Sequence, residues 1–197
     1  MDKKTIEYYN NNADKFVSDT LNCEFNQMQD KFLSYLSANS NILDLGCGSG
    51  RDSKYFIEKG YNIIAIDGSQ ELCKVAEKLI NKPVICKDFR EIDYNNEFDG
   101  IWACASLLHL PKDDIADIIN QCIKALKQNG ILYCSFKYGD FEGYRNERYF
   151  TDLTEQRFKD LISNVKNIQI KEIFISNDVR KGREQEKWLN IFIIKNK

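Results

Sequence analysis

The residues best placed to do chemistry in this chain are a glycine cluster and the carboxylates around it. Leu43-Asp44-Leu45-Gly46-Cys47-Gly48-Ser49-Gly50 follows a short apolar run and opens a helix. Glycines at such a junction let the backbone turn sharply and let a ligand lie against it without interference from a Cβ. The same residues also make an ordinary glycine-rich turn, so their neighbours decide. Asp67 ends the next apolar run, roughly twenty residues on, where a carboxylate can accept hydrogen bonds from both hydroxyls of a ribose. Its other reading is a helix N-cap. Asp88, with Phe89 beside it, ends the third run. A carboxylate there can accept from an adenine amino group while the next backbone N–H donates to the ring, or it can be a turn aspartate.

Other reactive types lie further on. His109 is the only histidine, in Ser106-Leu-Leu-His-Leu-Pro111. It has a pKa suited to a base, and it can equally line a pocket or pack. Tyr138, Arg145 and Arg148 fall in a long connection, and Arg180, Arg183 and Trp188 fall in and after a hairpin turn. Arginines beside aromatics can clamp an anionic or planar molecule. The alternative is surface charge beside core rings.

These residues need elements to hold them. Asn41–Leu45, Asn62–Ile66, Pro83–Cys86, Phe98–Ala103 and Ile131–Phe136 read as strands. Between them, Asp52–Lys59, Ser69–Ile80 and Lys112–Lys127 read as helices; the last carries an apolar stripe of Ile115, Ile118, Ile119, Cys122 and Leu126. Strand–helix alternation implies an α/β fold, a parallel sheet covered on both faces. Residues 154–165 read as a helix, and 168–176 with 186–194 as a closing antiparallel pair. The segment Lys137–Phe150 reads as a connection long enough to be functional. Residues 1–40 are polar and helical, with Leu21, Phe25, Met28, Phe32, Leu33 and Leu36 near helical spacing. With no linker or repeat, 1–197 reads as a single domain.

Composition narrows the partners. The formal net charge is −2 and no concentrated basic patch stands out, so nucleic acid is not the expected partner. No run approaches the ~20 apolar residues of a membrane span, and the N-terminus lacks a secretory h-region. The seven cysteines are scattered and none forms C-x-x-C, so neither a disulfide framework nor a metal site is expected. The chain reads as cytoplasmic and reduced.

Ile42–Gly50, Ile63–Ser69, Lys87-Asp88-Phe89 and Phe98–Pro111 together resemble the class I S-adenosylmethionine-dependent methyltransferases. The likeness is greatest to small bacterial enzymes grouped with tellurite-resistance methyltransferases. The resemblance implies a Rossmann-like, seven-stranded mixed sheet in the order 3-2-1-4-5-7-6, with helices on both faces and an N-terminal helical lid over residues 1–40. It implies S-adenosyl-L-methionine as cofactor and S-adenosyl-L-homocysteine as product. Asp44, Gly46, Cys47, Gly48 and Gly50 would hold the methionyl end, Asp67 and Gly68 the ribose, and Asp88 and Phe89 the adenine. Ala103 or Cys104 would face the sulfonium. Tyr8 or Tyr9, in a segment like the family's lid helix, would reach the cofactor or the acceptor; plain packing is their other role.

A nicotinamide dehydrogenase would need G-x-G-x-x-G. Here the third glycine comes one residue early, at Gly50, and Arg51 takes the expected place. Asp44 would also repel a pyrophosphate, whereas it suits a cationic amino group. Methyl transfer is an in-line displacement, and a base is needed only if the acceptor loses a proton. His109 is the candidate base. Tyr9, Tyr138, Arg145, Arg148, Arg180, Arg183 and Trp188 are the candidate acceptor pocket. Cys104-Ala-Ser-Leu is neither the Asn/Asp-Pro-Pro-Tyr of amino-nucleobase enzymes nor the Pro-Cys of cytosine-C5 enzymes. A small-molecule acceptor is the expectation; RNA, protein, or cofactor binding without catalysis are the alternatives.

Overall fold

The computed structural model describes residues 2–196. Five parallel strands come first: β1 (Asn41–Leu45), β2 (Asn62–Asp67), β3 (Ile85–Cys86), β4 (Phe98–Ala103) and β5 (Leu126–Lys137). A separate hairpin of β6 (Glu142–Arg145) and β7 (Arg148–Thr151) follows, and then β8 (Ile168–Asn177) and β9 (Lys187–Lys195). The main sheet runs β3-β2-β1-β4-β5-β9-β8, with β9 antiparallel to both neighbours. This is the Rossmann-like order expected, its last two strands being the eighth and ninth of the chain.

Strand alternation sorts the core onto two faces. Leu43, Leu45, Ile101, Ala103, Leu132 and Cys134 join one cluster with Ile115, Ile118, Ile119 and Cys122 of α6 (Lys112–Ala125) and Phe158 of α7 (Glu155–Leu161). Ile42, Trp102, Tyr133 and Phe192 face the other way. There they meet Phe32 of α3 (Asn26–Leu33) and Phe56 of α4 (Arg51–Glu58). Full burial of Phe32 and Phe56 is worth roughly 1.5–3 kcal/mol each. The expected N-terminal lid divides: α1 (Lys3–Asn11) and α2 (Ala13–Thr20) border the cleft described below, whereas α3 covers the sheet.

Several boundaries differ from expectation. Only Ile85 and Cys86 of the third strand pair with β2. Helix α6 ends at Ala125 because Leu126 pairs with Phe98 while Ile131 pairs with Gly100, a bulge that draws residues 126–130 into β5. The expected connection Lys137–Phe150 contains the β6–β7 hairpin. Its turn residues Asn146 and Glu147 both have positive φ, 47° and 65°. That is the primed geometry a two-residue hairpin needs. The second turn position usually carries glycine, and Glu147 hides the signal.

Helix α5 (Gln70–Ile80) completes the cover near β2. No helix among the described residues is long and apolar enough to cross a membrane. The strand order reverses between β1 and β4, and the crevice beyond their C-terminal ends is where open α/β sheets bind ligands.

Candidate active site

The glycine loop fills one side of that crevice. Gly46 and Cys47 donate their N–H groups to the Ile66 carbonyl at 2.8 and 3.0 Å, tying the loop to β2. Gly46 has φ +87°, and a Cβ there would collide with Cβ of Ser106 and meet the Phe89 ring at 3.1 Å. Gly48 has φ +56° and lies under Phe16, whose ring a Cβ would meet at 3.0 Å. The Gly48 N–H donates to Asp67 Oδ2 at 2.9 Å, and the Ser69 N–H donates to Oδ1 at 2.8 Å. Asp67 is thus the loop's buried keystone; burial pushes its pKa up against these two hydrogen bonds.

Asp44 lies behind the loop, 2% exposed, and accepts from the Ser53 hydroxyl at 2.6 Å. Burial, and then the neighbouring Asp52 charge, raise its pKa to about 8. Asp52 itself accepts from the Arg51 guanidinium, from Gln29 Nε2 at 2.7 Å and from Trp102 Nε1 at 2.8 Å.

The end of β4 presses on the loop from the opposite side. Ala105 takes φ +51°, a strained state for a residue with a Cβ. Its N–H donates to Ser135 Oγ at 2.9 Å. The Ser106 hydroxyl donates to the Leu45 carbonyl at 2.6 Å and fixes the wall against Gly46. Burial pushes the Cys104 thiol up to about 12, so it stays protonated at neutral pH and is no nucleophile.

Helix α1 closes over both halves. Asn10 Oδ1 accepts from the Ser69 hydroxyl at 2.7 Å and from the Glu71 N–H at 3.3 Å. Thr5 Oγ1 accepts from the Tyr149 N–H at 2.9 Å. Between these anchors the Tyr9 hydroxyl meets His109 Nε2 at 2.8 Å, and His109 Nδ1 meets the Tyr149 carbonyl at 2.6 Å. A carbonyl only accepts, so Nδ1 carries the proton and Nε2 is left to accept from Tyr9. Burial, against the Tyr149 carbonyl and helped by the Arg148 charge, lowers the His109 pKa to about 4. The imidazole is neutral and its tautomer is set. Burial also pushes Tyr9 above the ordinary phenol value.

The far end of the cleft is cationic and aromatic. Arg180 holds Asp178 through Nε at 2.9 Å and Nη2 at 2.5 Å, and Trp188 Nε1 donates to the same carboxylate at 3.0 Å. Lys137 pairs with Glu186 and lies 4.6 Å above the Trp188 ring. Burial, offset by Asp178 and reinforced by Arg180 and Arg183, lowers the Lys137 pKa to about 8. Arg145 grips Asp152 through two bonds, at 3.0 and 2.6 Å.

One cleft of about 740 Å³ joins these groups. Of the cofactor candidates it is lined by Gly46, Cys47, Gly48, Asp67, Phe89 and Cys104; Asp44, Gly50, Gly68, Asp88, Ala103 and Tyr8 are not on its walls. Gly50 instead starts α4 and packs on Ala76. Asp88 accepts from Arg90, which holds it ionised well below the usual carboxylate range against the cost of burial. His109 and all seven acceptor-pocket candidates line the cleft. Phe16, Ser106, Ser135, Lys137 and Asp178 line it too and were not expected. Lys137 ends a central parallel strand, on the side where such sheets bind ligands, and that position was the readable signal.

Residues 42–130 match the family model of a methyltransferase domain. That segment, a little under half of the chain, is similar to the methyltransferase domains of the S-adenosylmethionine-dependent class. Phosphoethanolamine N-methyltransferase of Plasmodium falciparum is 27% identical over 158 residues, covering 70% of this chain and 58% of that protein. Among solved structures, Burkholderia thailandensis 1,6-didemethyltoxoflavin-N1-methyltransferase, with S-adenosylhomocysteine bound, superposes at TM-score 0.76 with 19% identity over 98% of this chain and 85% of that one. A Rhodobacter sphaeroides chain named after Zn-dependent alcohol dehydrogenases superposes at TM-score 0.78 with 10% identity, over 100% of both chains. Likeness at such identities is a likeness of fold. The chain spans about half the length of curated relatives it matches, 47% and 58% for two of them.

The residues of the methyltransferase domain fit S-adenosylmethionine. The backbone of Gly46 and Gly48 leaves a cradle that a Cβ would fill, and Asp67 stands at its edge. Among the described residues no cation contacts the buried carboxylates of Asp44 and Asp67, which favours a positively charged occupant. The cleft volume lies within the roughly 300–1,000 Å³ of small-molecule sites. Asp67→Ala is expected to weaken S-adenosylhomocysteine binding by about 1–3 kcal/mol in calorimetry. An affinity unchanged within about threefold would remove Asp67 from the site.

Proposed function

We propose that this methyltransferase domain transfers the methyl group of S-adenosylmethionine to a small molecule seated between the Tyr9–His109 pair and the ends of β5 and β9. The observation that carries the reading is the single cleft, with the glycine loop and Asp67 at one end and a neutral, hydrogen-bonded histidine at the other. The named acceptors of two similar proteins, phosphoethanolamine and 1,6-didemethyltoxoflavin, are small molecules, which supports the class. The narrower grouping with tellurite-resistance enzymes, the single-domain reading of 1–197 and a cytoplasmic location belong to the same proposal.

When bound, the cofactor supplies a methyl group already activated on a sulfonium. The protein's work is to align the acceptor, exclude water and take any proton the acceptor loses. Helix α1 covers the cleft through Asn10 and Thr5. Tyr9 Oη, donating its hydrogen to His109 Nε2 and approached by Arg148 Nη1 at 3.5 Å, keeps one lone pair to accept an acceptor's O–H or N–H. A proton taken there passes along the same hydrogen bond to Nε2.

Labelled methyl transfer to a panel of thiols, amines, carboxylates and oxyanions tests the activity. No labelled product, combined with tight S-adenosylhomocysteine binding, would leave a binding module; no binding would end the reading. A second outcome is expected from Asp44. Its pKa of about 8 leaves it largely protonated at pH 7, and a cation on the glycine loop pulls that pKa down. Binding of S-adenosylhomocysteine should therefore release up to about one proton, and affinity should rise with pH from 6 to about 8. 5′-Methylthioadenosine, which lacks the ammonium group, should release much less. Calorimetry in buffers of different ionisation enthalpy measures both.

A further inference from the structure

Arg148 is the one arginine on the cleft wall without a carboxylate partner among the described residues. Arg51, Arg145, Arg180 and Arg183 pair with Asp52, Asp152, Asp178 and Glu186. The Arg148 guanidinium instead lies among rings: 4.6 Å from the Tyr8 centroid, 5.2 Å from Phe150 and 5.8 Å from Tyr9. Its Nε is buried with no hydrogen-bond partner, and its Nη1 reaches only to the Tyr9 hydroxyl, at 3.5 Å.

Aromatic faces compensate a guanidinium in part. They satisfy none of its in-plane donors, and a buried donor without an acceptor is costly. The five donors of arginine match two oxygens of a carboxylate or phosphate in one plane. The enclosed Nε is out of a ligand's reach, but a negative group in the cleft would supply acceptors to the terminal nitrogens and neutralise the charge, and the rings of Tyr9 and Phe150 beside it suit a flat body.

We infer that Arg148 receives an anionic group of the methyl acceptor, a carboxylate or phosphate on a planar body, and so places the acceptor's O–H or N–H at Tyr9. The inference rests on the methyltransferase reading and adds the substrate's charge to it. The anion is held by Arg148, the reacting atom faces Tyr9 Oη, and the two sites are joined by the 3.5 Å contact between them.

The test is calorimetry on the full chain saturated with S-adenosylhomocysteine, titrated with benzoate, phenyl phosphate and neutral benzamide. At least one of the two anions should bind with a dissociation constant below about 10 mM, and benzamide at least about tenfold more weakly. The better anion of the two distinguishes carboxylate from phosphate. Arg148→Gln should weaken that anion about tenfold or more, and Arg148→Lys, which keeps the charge and loses the fork, by an intermediate factor. Both variants should hold S-adenosylhomocysteine within about threefold of the parent chain, which also shows that they fold. Equal anion binding by Arg148→Gln, or no anion binding by the parent chain, overturns the inference. So does a tenfold loss of S-adenosylhomocysteine but not of 5′-methylthioadenosine in Arg148→Gln, which would give Arg148 to the cofactor's carboxylate. If the parent chain binds neither nucleoside, the methyltransferase reading itself fails, and the inference with it.

Discussion

Tyr9→Phe is expected to lower kcat/KM for methyl transfer about 100-fold, and His109→Gln by a similar factor. The two side chains share one hydrogen bond of 2.8 Å, and the Tyr149 carbonyl fixes which imidazole nitrogen accepts it. Removing either member breaks the same proton route. The double variant should therefore be no worse than the poorer single, because groups that act as one unit are not additive. The pH dependence carries an independent sign. The route needs neutral His109, which exists above its pKa of about 4. With S-adenosylmethionine saturating, so that Asp44 does not enter, the acid limb of kcat/KM for the acceptor should then fall near pH 4, not near the ordinary 6.5 of histidine. A limb between 6 and 7, or single variants whose losses multiply, would refute the relay. Tyr9→Phe keeps the ring that packs on Phe16 and His109, so its loss reads the hydroxyl and not the packing.

Gly46→Ala should be the most damaging single methyl in the chain. Its φ of +87° costs an L-residue about 1–3 kcal/mol. The new Cβ would also overlap Cβ of Ser106, which cannot retreat because its hydroxyl is bonded to the Leu45 carbonyl. Overpacking of this kind adds roughly 1–3 kcal/mol. For a chain of this size the sum lowers Tm by about 4–24 °C. Gly60→Ala is the matched control. Its φ is +88° and nothing lies within 4 Å of its Cβ position, so it pays the backbone strain alone. Thermal unfolding of both variants, with and without S-adenosylhomocysteine, separates strain from collision. Stabilisation by the nucleoside should survive in Gly60→Ala and vanish in Gly46→Ala. Equal behaviour of the two would mean that Ser106 gives way and that the cradle is not rigid.

The parts of the fold that were legible are those in which side-chain period and burial agree. The β1 run from Ile42 to Leu45 is apolar because both faces of that strand are covered, and the stripe of α6 faces the core it announced. Legibility failed where geometry depends on pairing between distant segments. The bulge at Phe98 and Gly100 decides where α6 ends, and no residue near 126 carries that information. The Asn146-Glu147 turn escaped because its second residue is an unusual choice for positive φ.

The site divides in the same way. The position of Asp67 beside the glycine loop was readable because loop and strand end are a fixed distance apart in any chain of this topology. The placement of Asp44 was not readable: it sits behind the loop, bonds Ser53 and does not line the cleft. The pairing of Tyr9 with His109 spans 100 positions of sequence. It exists only because α1 folds back between α5 and the β6–β7 hairpin, and nothing in either residue's neighbourhood signals that meeting.

Helix α1 has one more consequence. The same nine-residue element is fastened to Ser69, beside the nucleoside end, and to Tyr149, beside the acceptor end. Both ends of the cleft therefore share one cover, and lifting it would break both fastenings together.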